Sequence, residues 1–169
     1  TFPVDGKFTK EQRLIYDLVL KCQKAVINMV KPGGPYSSLH DKAVRVLTEG
    51  LVKLGLLKGS VKKLIENKAF HKFYMHGTGH WLGLDTHDEC IYSENGKSVR
   101  LKPGMVFTVE PGIYINPELK DVPKKWRGIG VRIEDDVLVT SSGHRVLTSA
   151  IPKETDEVEA LMASARNGK

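Results

Sequence analysis

The chain has 169 residues, with 26 Lys and Arg against 20 Asp and Glu and a formal net charge of +6. Apolar residues make up 40% and charged residues 27%, with 16 Gly and 8 Pro; these are the proportions of a globular domain with a core, which excludes collagen-like, disordered and disulfide-scaffold classes. No apolar run approaches the roughly 20 residues of a membrane span, Thr1–Thr9 does not read as a secretory signal, and Cys22 and Cys90 form no C-x-x-C pair, so a reducing, cytoplasmic setting is expected.

Thr9-Lys10-Glu11-Gln12 reads as a capping box. Leu14, Ile15, Leu18, Val19, Cys22, Val26, Met29 and Val30 then recur at helical spacing until Lys31-Pro32-Gly33-Gly34-Pro35 stops the helix. Ser38-Leu39-His40-Asp41 is expected to cap a second helix, with Leu39, Ala43, Leu47, Leu51 and Leu54 on its apolar face, and a short third helix is expected over 60–67. The second half is strand-like. Residues 105–110 form one predicted strand, 131–140 a longer one, and Ser141-Ser142-Gly143-His144 turns the latter toward a third. A closing helix is predicted over 156–166 with Val158, Leu161, Met162 and Ala165 inward. Helices, then antiparallel strands, then a helix indicate an α+β class.

Three segments carry chemistry. His76-Gly77-Thr78-Gly79-His80 continues to His87, placing three of the six histidines in twelve residues. Two glycines between His76 and His80 disfavour a helix by about 1 kcal/mol each, so an extended or looped segment is expected; a glycine-rich loop with satisfied histidines is the plain alternative. Glu110 closes an apolar strand just before Pro111, which has no N–H for a ladder, so it lies at a strand end, solvated or functional. Glu134 and Asp136 share a strand face with Arg132. Stacked acids in a half-buried strand need a cation, Arg132 or a metal, unless the strand is an exposed edge. An N/O donor set without thiolates favours Mn²⁺, Fe²⁺, Co²⁺ or Zn²⁺ and suits metal-activated water. Serine-hydrolase, P-loop and dinucleotide-binding motifs are absent. The basic residues are spread, apart from Lys124-Lys125-Trp126-Arg127. They are read as solvated faces, with no nucleic-acid partner expected.

His76-Gly-Thr-Gly-His80-Trp-Leu-Gly-Leu-Asp-Thr-His87-Asp, Thr108-Val-Glu110-Pro-Gly-Ile-Tyr and Gly130-Val-Arg132-Ile-Glu134-Asp-Asp resemble, in this order, the ligand segments of the proline-specific metallopeptidases of family M24. Their spacing is closest to the bacterial aminopeptidase P (Xaa-Pro aminopeptidase) group. Thr86 stands where that family usually has Ile or Val. The resemblance implies a pita-bread fold, an antiparallel curved sheet with helices on its outer face. It also implies metal ligands His80, Glu110 and Glu134, with Glu134 bridging two ions and Glu110 shuttling a proton. His76 and His87 would face the substrate, and Arg132 would orient the carboxylates; Trp81, beside His80, is separately expected to line the substrate side, a core aromatic being the alternative. The implied reaction releases the first residue of peptides with proline second, using Mn²⁺, or Zn²⁺, Co²⁺ or Fe²⁺, in a homo-oligomeric enzyme with no membrane attachment. The family's two aspartate ligands, which precede the segment matching Thr1-Phe2-Pro3, have no counterpart here. Residues 1–169 are therefore expected to form a single domain, the C-terminal portion of an N-terminally truncated catalytic domain, holding one ion or none and inactive alone. A non-catalytic binding module of the same fold, or a relative of prolidase or methionine aminopeptidase, are the alternatives.

Overall fold

The computed structural model describes residues 1–167. Helix α1, Lys10–Ile27, opens with the full capping box: Gln12 N donates to Thr9 Oγ1 and Thr9 N donates to the Gln12 side chain. The helix ends at Ile27, before Met29 and Val30, so the apolar spacing overran it; Val30 still reaches the core from the following turn, whereas Leu14 and Met29 are exposed. Helix α2, Ser37–Lys53, buries Leu39, Ala43, Leu47 and Leu51 against α1. It has no side-chain cap; Ser38 Oγ instead donates to Pro35 O. Helix α3 is confined to Val61–Glu66.

Every strand pairing among the described residues is antiparallel. A small hairpin, β1 (Ser93–Glu94) with β2 (Lys97–Ser98), precedes the site-bearing strands β3 (Val106–Val109), β4 (Gly112–Tyr114), β5 (Gly130–Arg132), β6 (Asp135–Val139) and β7 (His144–Val146). The single strand expected over 131–140 is thus two, β5 on β4 and β6 between β3 and β7. The register is nevertheless continuous. Val109 lies opposite Asp135 and Gly112 opposite Arg132, three residues further along each strand. One long two-stranded ribbon is therefore opened locally at Glu110-Pro111 and Ile133-Glu134. Proline supplies the reason: it has no N–H, so the ladder loses a bond there. Only Ile133 N to Pro111 O, at 3.4 Å, spans the gap.

Residues 78–82 form a further edge on β3, through Leu82 N to Val106 O, Thr108 N to His80 O and Glu110 N to Thr78 O. Glycine helps here, because the bare backbone of Gly79 lies directly over the Thr108 carbonyl. The core runs between α1–α2 and the strands, with Tyr16, Phe73, Phe107 and Ile113 fully buried. Helix α4, Thr155–Asn167, is tied to α1 by Arg13, which bonds Thr155, Asp156 and Glu159. Val158 is buried and Met162 half-buried, but Leu161 and Ala165 are exposed, not inward. The helix is held by its first turns. The basic cluster is also occupied locally: Lys125 pairs with Glu11 at 3.7 Å and lies over the Trp126 ring, while Arg127 donates to Val122 O and Lys120 O.

Candidate metal centre

The three carboxylate and imidazole residues singled out in the sequence lie on three neighbouring strands. His80 sits on the 78–82 edge, Glu110 at the end of β3, and Glu134 in the ribbon gap across from Glu110. One donor atom from each comes together with the other two, all within 4.8 Å of one another. Donors around one first-row ion at about 2.0–2.2 Å lie no more than about 4.4 Å apart, so closing this cluster on an ion needs a shift of a few tenths of an ångström. The chemistry of the set agrees. His80 Nδ1 faces Trp81 O at 3.0 Å, which assigns it the ring proton and leaves the Nε2 lone pair pointing at Glu110 Oε1, 3.2 Å away. A lone pair facing a carboxylate oxygen calls for a second proton or a cation between them.

Glu110 is 9% exposed and is fixed from both sides. Thr108 Oγ1 donates to its Oε1 at 3.1 Å and itself accepts from His80 N at 3.0 Å, while Arg132 Nη1 lies 3.7 Å from its Oε2. Glu134 faces the open side. Its carboxyl is raised above the usual glutamate range, first by desolvation and then by the nearby charges of Glu110 and Asp136, with Arg132 and His80 opposing. Arg132 thus keeps its place on the site face even though β5 and β6 belong to different ladders.

The histidines flank this centre. His87 is exposed, its ring edge-on to His80 with centroids 4.3 Å apart. His76 Nδ1 bonds Gly77 O at 2.6 Å, so its Nε2 accepts from Tyr114 Oη at 3.0 Å. Behind the loop, Thr78 Oγ1 joins Tyr74 Oη (2.7 Å) and His40 Nδ1 (2.9 Å). Burial pushes His40 below the ordinary histidine value and Tyr74 above the ordinary phenol value, which keeps both neutral. Thr1, Tyr114, Arg132, Glu134 and Asp136 line an adjoining cleft of about 670 Å³.

Trp81 is a correction. Expected on the substrate side, its indole is 4% exposed and packs with Tyr36, Tyr92 and Phe107 at centroid distances of 4.8, 5.8 and 5.7 Å. Adjacent residues of an extended segment point to opposite faces, so the segment that aims His80 at the site sends Trp81 into the core. Its Nε1 has no hydrogen-bond partner among the described residues. Tyr114, Thr108 and His40 were missed by sequence reasoning. Tyr114 and Thr108 share the parity of Glu110 along the strand, a signal that was available.

The donor set is one that could hold a metal ion, carried on antiparallel strands backed by helices. The sequence profile of metallopeptidase family M24 matches residues 1–141, and the chain belongs to that family, which implies a divalent metal. It is 53% identical over 162 residues to the Xaa-Pro aminopeptidase of Haemophilus influenzae, covering 96% of this chain and 37% of that protein. To the Xaa-Pro aminopeptidase of Escherichia coli it is 49% identical over 166 residues, covering 98% and 37%. The structure of Pseudomonas aeruginosa aminopeptidase PepP superposes with a TM-score of 0.96 at 53% identity, over 98% of this chain and 38% of that one. Escherichia coli aminopeptidase P with the inhibitor Pro-Leu gives 0.93 at 49% identity, over 98% and 37%. The fold is the pita-bread fold of these enzymes, and the chain spans under two fifths of their length. Among the described residues, no helix is long and apolar enough to cross a membrane.

Proposed function

We propose that the chain is the C-terminal part of the catalytic domain of a Xaa-Pro aminopeptidase, which releases the first residue from peptides with proline in second position. The observation that carries this reading is the convergence of His80, Glu110 and Glu134 within 4.8 Å on a fold shared with named aminopeptidases P. His80, Glu110 and Glu134 would hold a divalent ion, Mn²⁺ in this reading, which would lower the pKa of a bound water toward neutrality and polarise the scissile carbonyl. Glu110 Oε2 takes the proton of the attacking water and passes it toward the leaving proline nitrogen. Arg132 beside that oxygen keeps the carboxylate aimed. His76 and His87 face the substrate from the two sides of His80, and the Tyr114 hydroxyl orients the His76 ring. Two further carboxylate ligands come from residues outside these 169, and the working enzyme is a cytoplasmic homo-oligomer without a nucleic-acid partner.

The test uses the full-length gene product. Mn²⁺-dependent release of the first residue from an Xaa-Pro peptide, with the matching Xaa-Ala peptide left intact, is expected. Glu110→Gln should lower kcat by at least 100-fold, a general base being worth about 10²–10⁴. Cleavage of both peptides alike, or persistence of activity in Glu110→Gln, would overturn the reading. The 169 residues alone should release nothing.

A further inference from the structure

Among the described residues, Asp135 is the one strongly buried acid that the proposed chemistry leaves unused. It is 4% exposed and directly follows Glu134. On extended backbone its side chain turns away from the site, and three donors meet it there. Gln23 Nε2 from α1 reaches Oδ2 at 2.5 Å, Thr148 Oγ1 reaches Oδ1 at 2.5 Å, and Lys153 Nζ lies 2.9 Å from Oδ1. Thr148 Oγ1 also accepts from Asp136 N at 3.1 Å, and Lys153 Nζ donates to Thr148 O and Ile151 O. One carboxylate therefore joins α1, the start of β6 and the 148–153 segment.

Such a pair loses much of its hydration on burial, and an apolar substitute of the same volume is often as stable. Stability alone does not account for it. Its position does. Glu134 lies in the ribbon gap, where the long Ile133–Pro111 bond is the only backbone link across, so the direction of Glu134 depends on how firmly its neighbours are held. On one side Arg132 of β5 pairs with Gly112 of β4; on the other Asp135 pairs with Val109 of β3 and carries the side-chain clamp as well.

We propose that Asp135 is a positioning residue. Its clamp of Lys153, Gln23 and Thr148 fixes the backbone at the gap and so aims the Glu134 carboxylate at His80 and Glu110. This rests on the reading of Glu134 as a metal ligand. In the full-length gene product, Asp135→Asn should weaken Mn²⁺ binding about tenfold or more, in the range found for groups that orient metal ligands. Thr148→Val, which keeps side-chain shape, should weaken it severalfold. Leu47→Ala, in the α1–α2 core at 0% exposure, should lower the melting temperature while leaving Mn²⁺ affinity within twofold, which separates positioning from general loss of stability. Folded Asp135→Asn or Thr148→Val protein binding Mn²⁺ within twofold of the parent would overturn the proposal; if Asp135→Asn does not fold, Thr148→Val decides. If the unaltered protein binds no Mn²⁺, the ligand reading fails separately. The crystal structure of Thr148→Val then decides: a displaced Glu134 carboxylate supports the clamp, and an unmoved one refutes it.

Discussion

Replacing Glu134 by Gln should stabilise the metal-free protein while abolishing its response to metal. The donor atoms of Glu110 and Glu134 are at most 4.8 Å apart. Two like charges at that distance repel by about 0.9 kcal/mol in water-like surroundings and about 3.5 kcal/mol at an effective dielectric near 20. Glu134 is exposed, so solvent screening puts the figure near the lower end, about 1 kcal/mol, and Arg132 offsets part of it. In a domain of this size that corresponds to a melting temperature higher by roughly 2–4 °C. The sign follows from the raised Glu134 carboxyl. The folded state holds this proton more tightly than the unfolded chain, so the contribution is favourable below the ordinary carboxylate value and is lost as pH rises through the raised one. The gain from Glu134→Gln should therefore appear at about pH 7.5 and vanish near about pH 4. Calorimetry of chelator-treated protein at both values checks this, followed by Mn²⁺ addition at the higher pH, which should raise the melting temperature of the parent alone. A Glu134→Gln protein less stable than the parent at about pH 7.5 without metal would refute the electrostatic account.

Trp81→Phe keeps the ring contacts and deletes the unpartnered N–H, whose burial is worth about 1–3 kcal/mol against the structure; urea unfolding should place it within about 1.5 kcal/mol of the parent, and Trp81→Ala about 3–5 kcal/mol below it. Thr108→Val removes the hydroxyl shared by His80 N and Glu110; chemical denaturation should show a loss of about 1–3 kcal/mol and metal titration a weaker site. Burial pushes the Cys22 thiol up to about 12, whereas Cys90 is exposed, so iodoacetamide near pH 8 followed by mass spectrometry should find Cys90 modified in native protein and Cys22 only after unfolding.

The candidate ligands were legible because local composition and strand parity single out their segments and the family resemblance selects His80, Glu110 and Glu134 within them. Glu110 sits before a proline, and Glu134 and Asp136 interrupt a β-branched run. What stayed hidden depended on partners distant in sequence. Nothing near Asp135 announces Gln23 or Lys153, which come from 112 residues upstream and 18 downstream. The break at Ile133-Glu134 was likewise invisible in its own segment, since it is imposed by Pro111 on the opposite strand. Trp81 and Tyr114 differ from these. Trp81 follows from alternation along extended backbone once the 78–82 segment is treated as a strand rather than a loop, and Tyr114 from its shared parity with Glu110.

The uninterrupted register of the ribbon sets how the gene can tolerate changes in length. One residue added or removed between Met105 and Glu110 would turn Glu110 to the opposite face, and no side-chain rearrangement could restore the cluster, because His80 and Glu134 are each aligned to that same strand. The β1–β2 hairpin forms a separate two-stranded sheet, tied outside it by Ser37 N donating to Ser98 Oγ, and carries no residue of the cluster. Random single-codon insertions should accumulate at 93–98 and be lost from 105–110, so the distribution of surviving insertions would map which stretch of backbone serves as the ruler for the candidate metal centre.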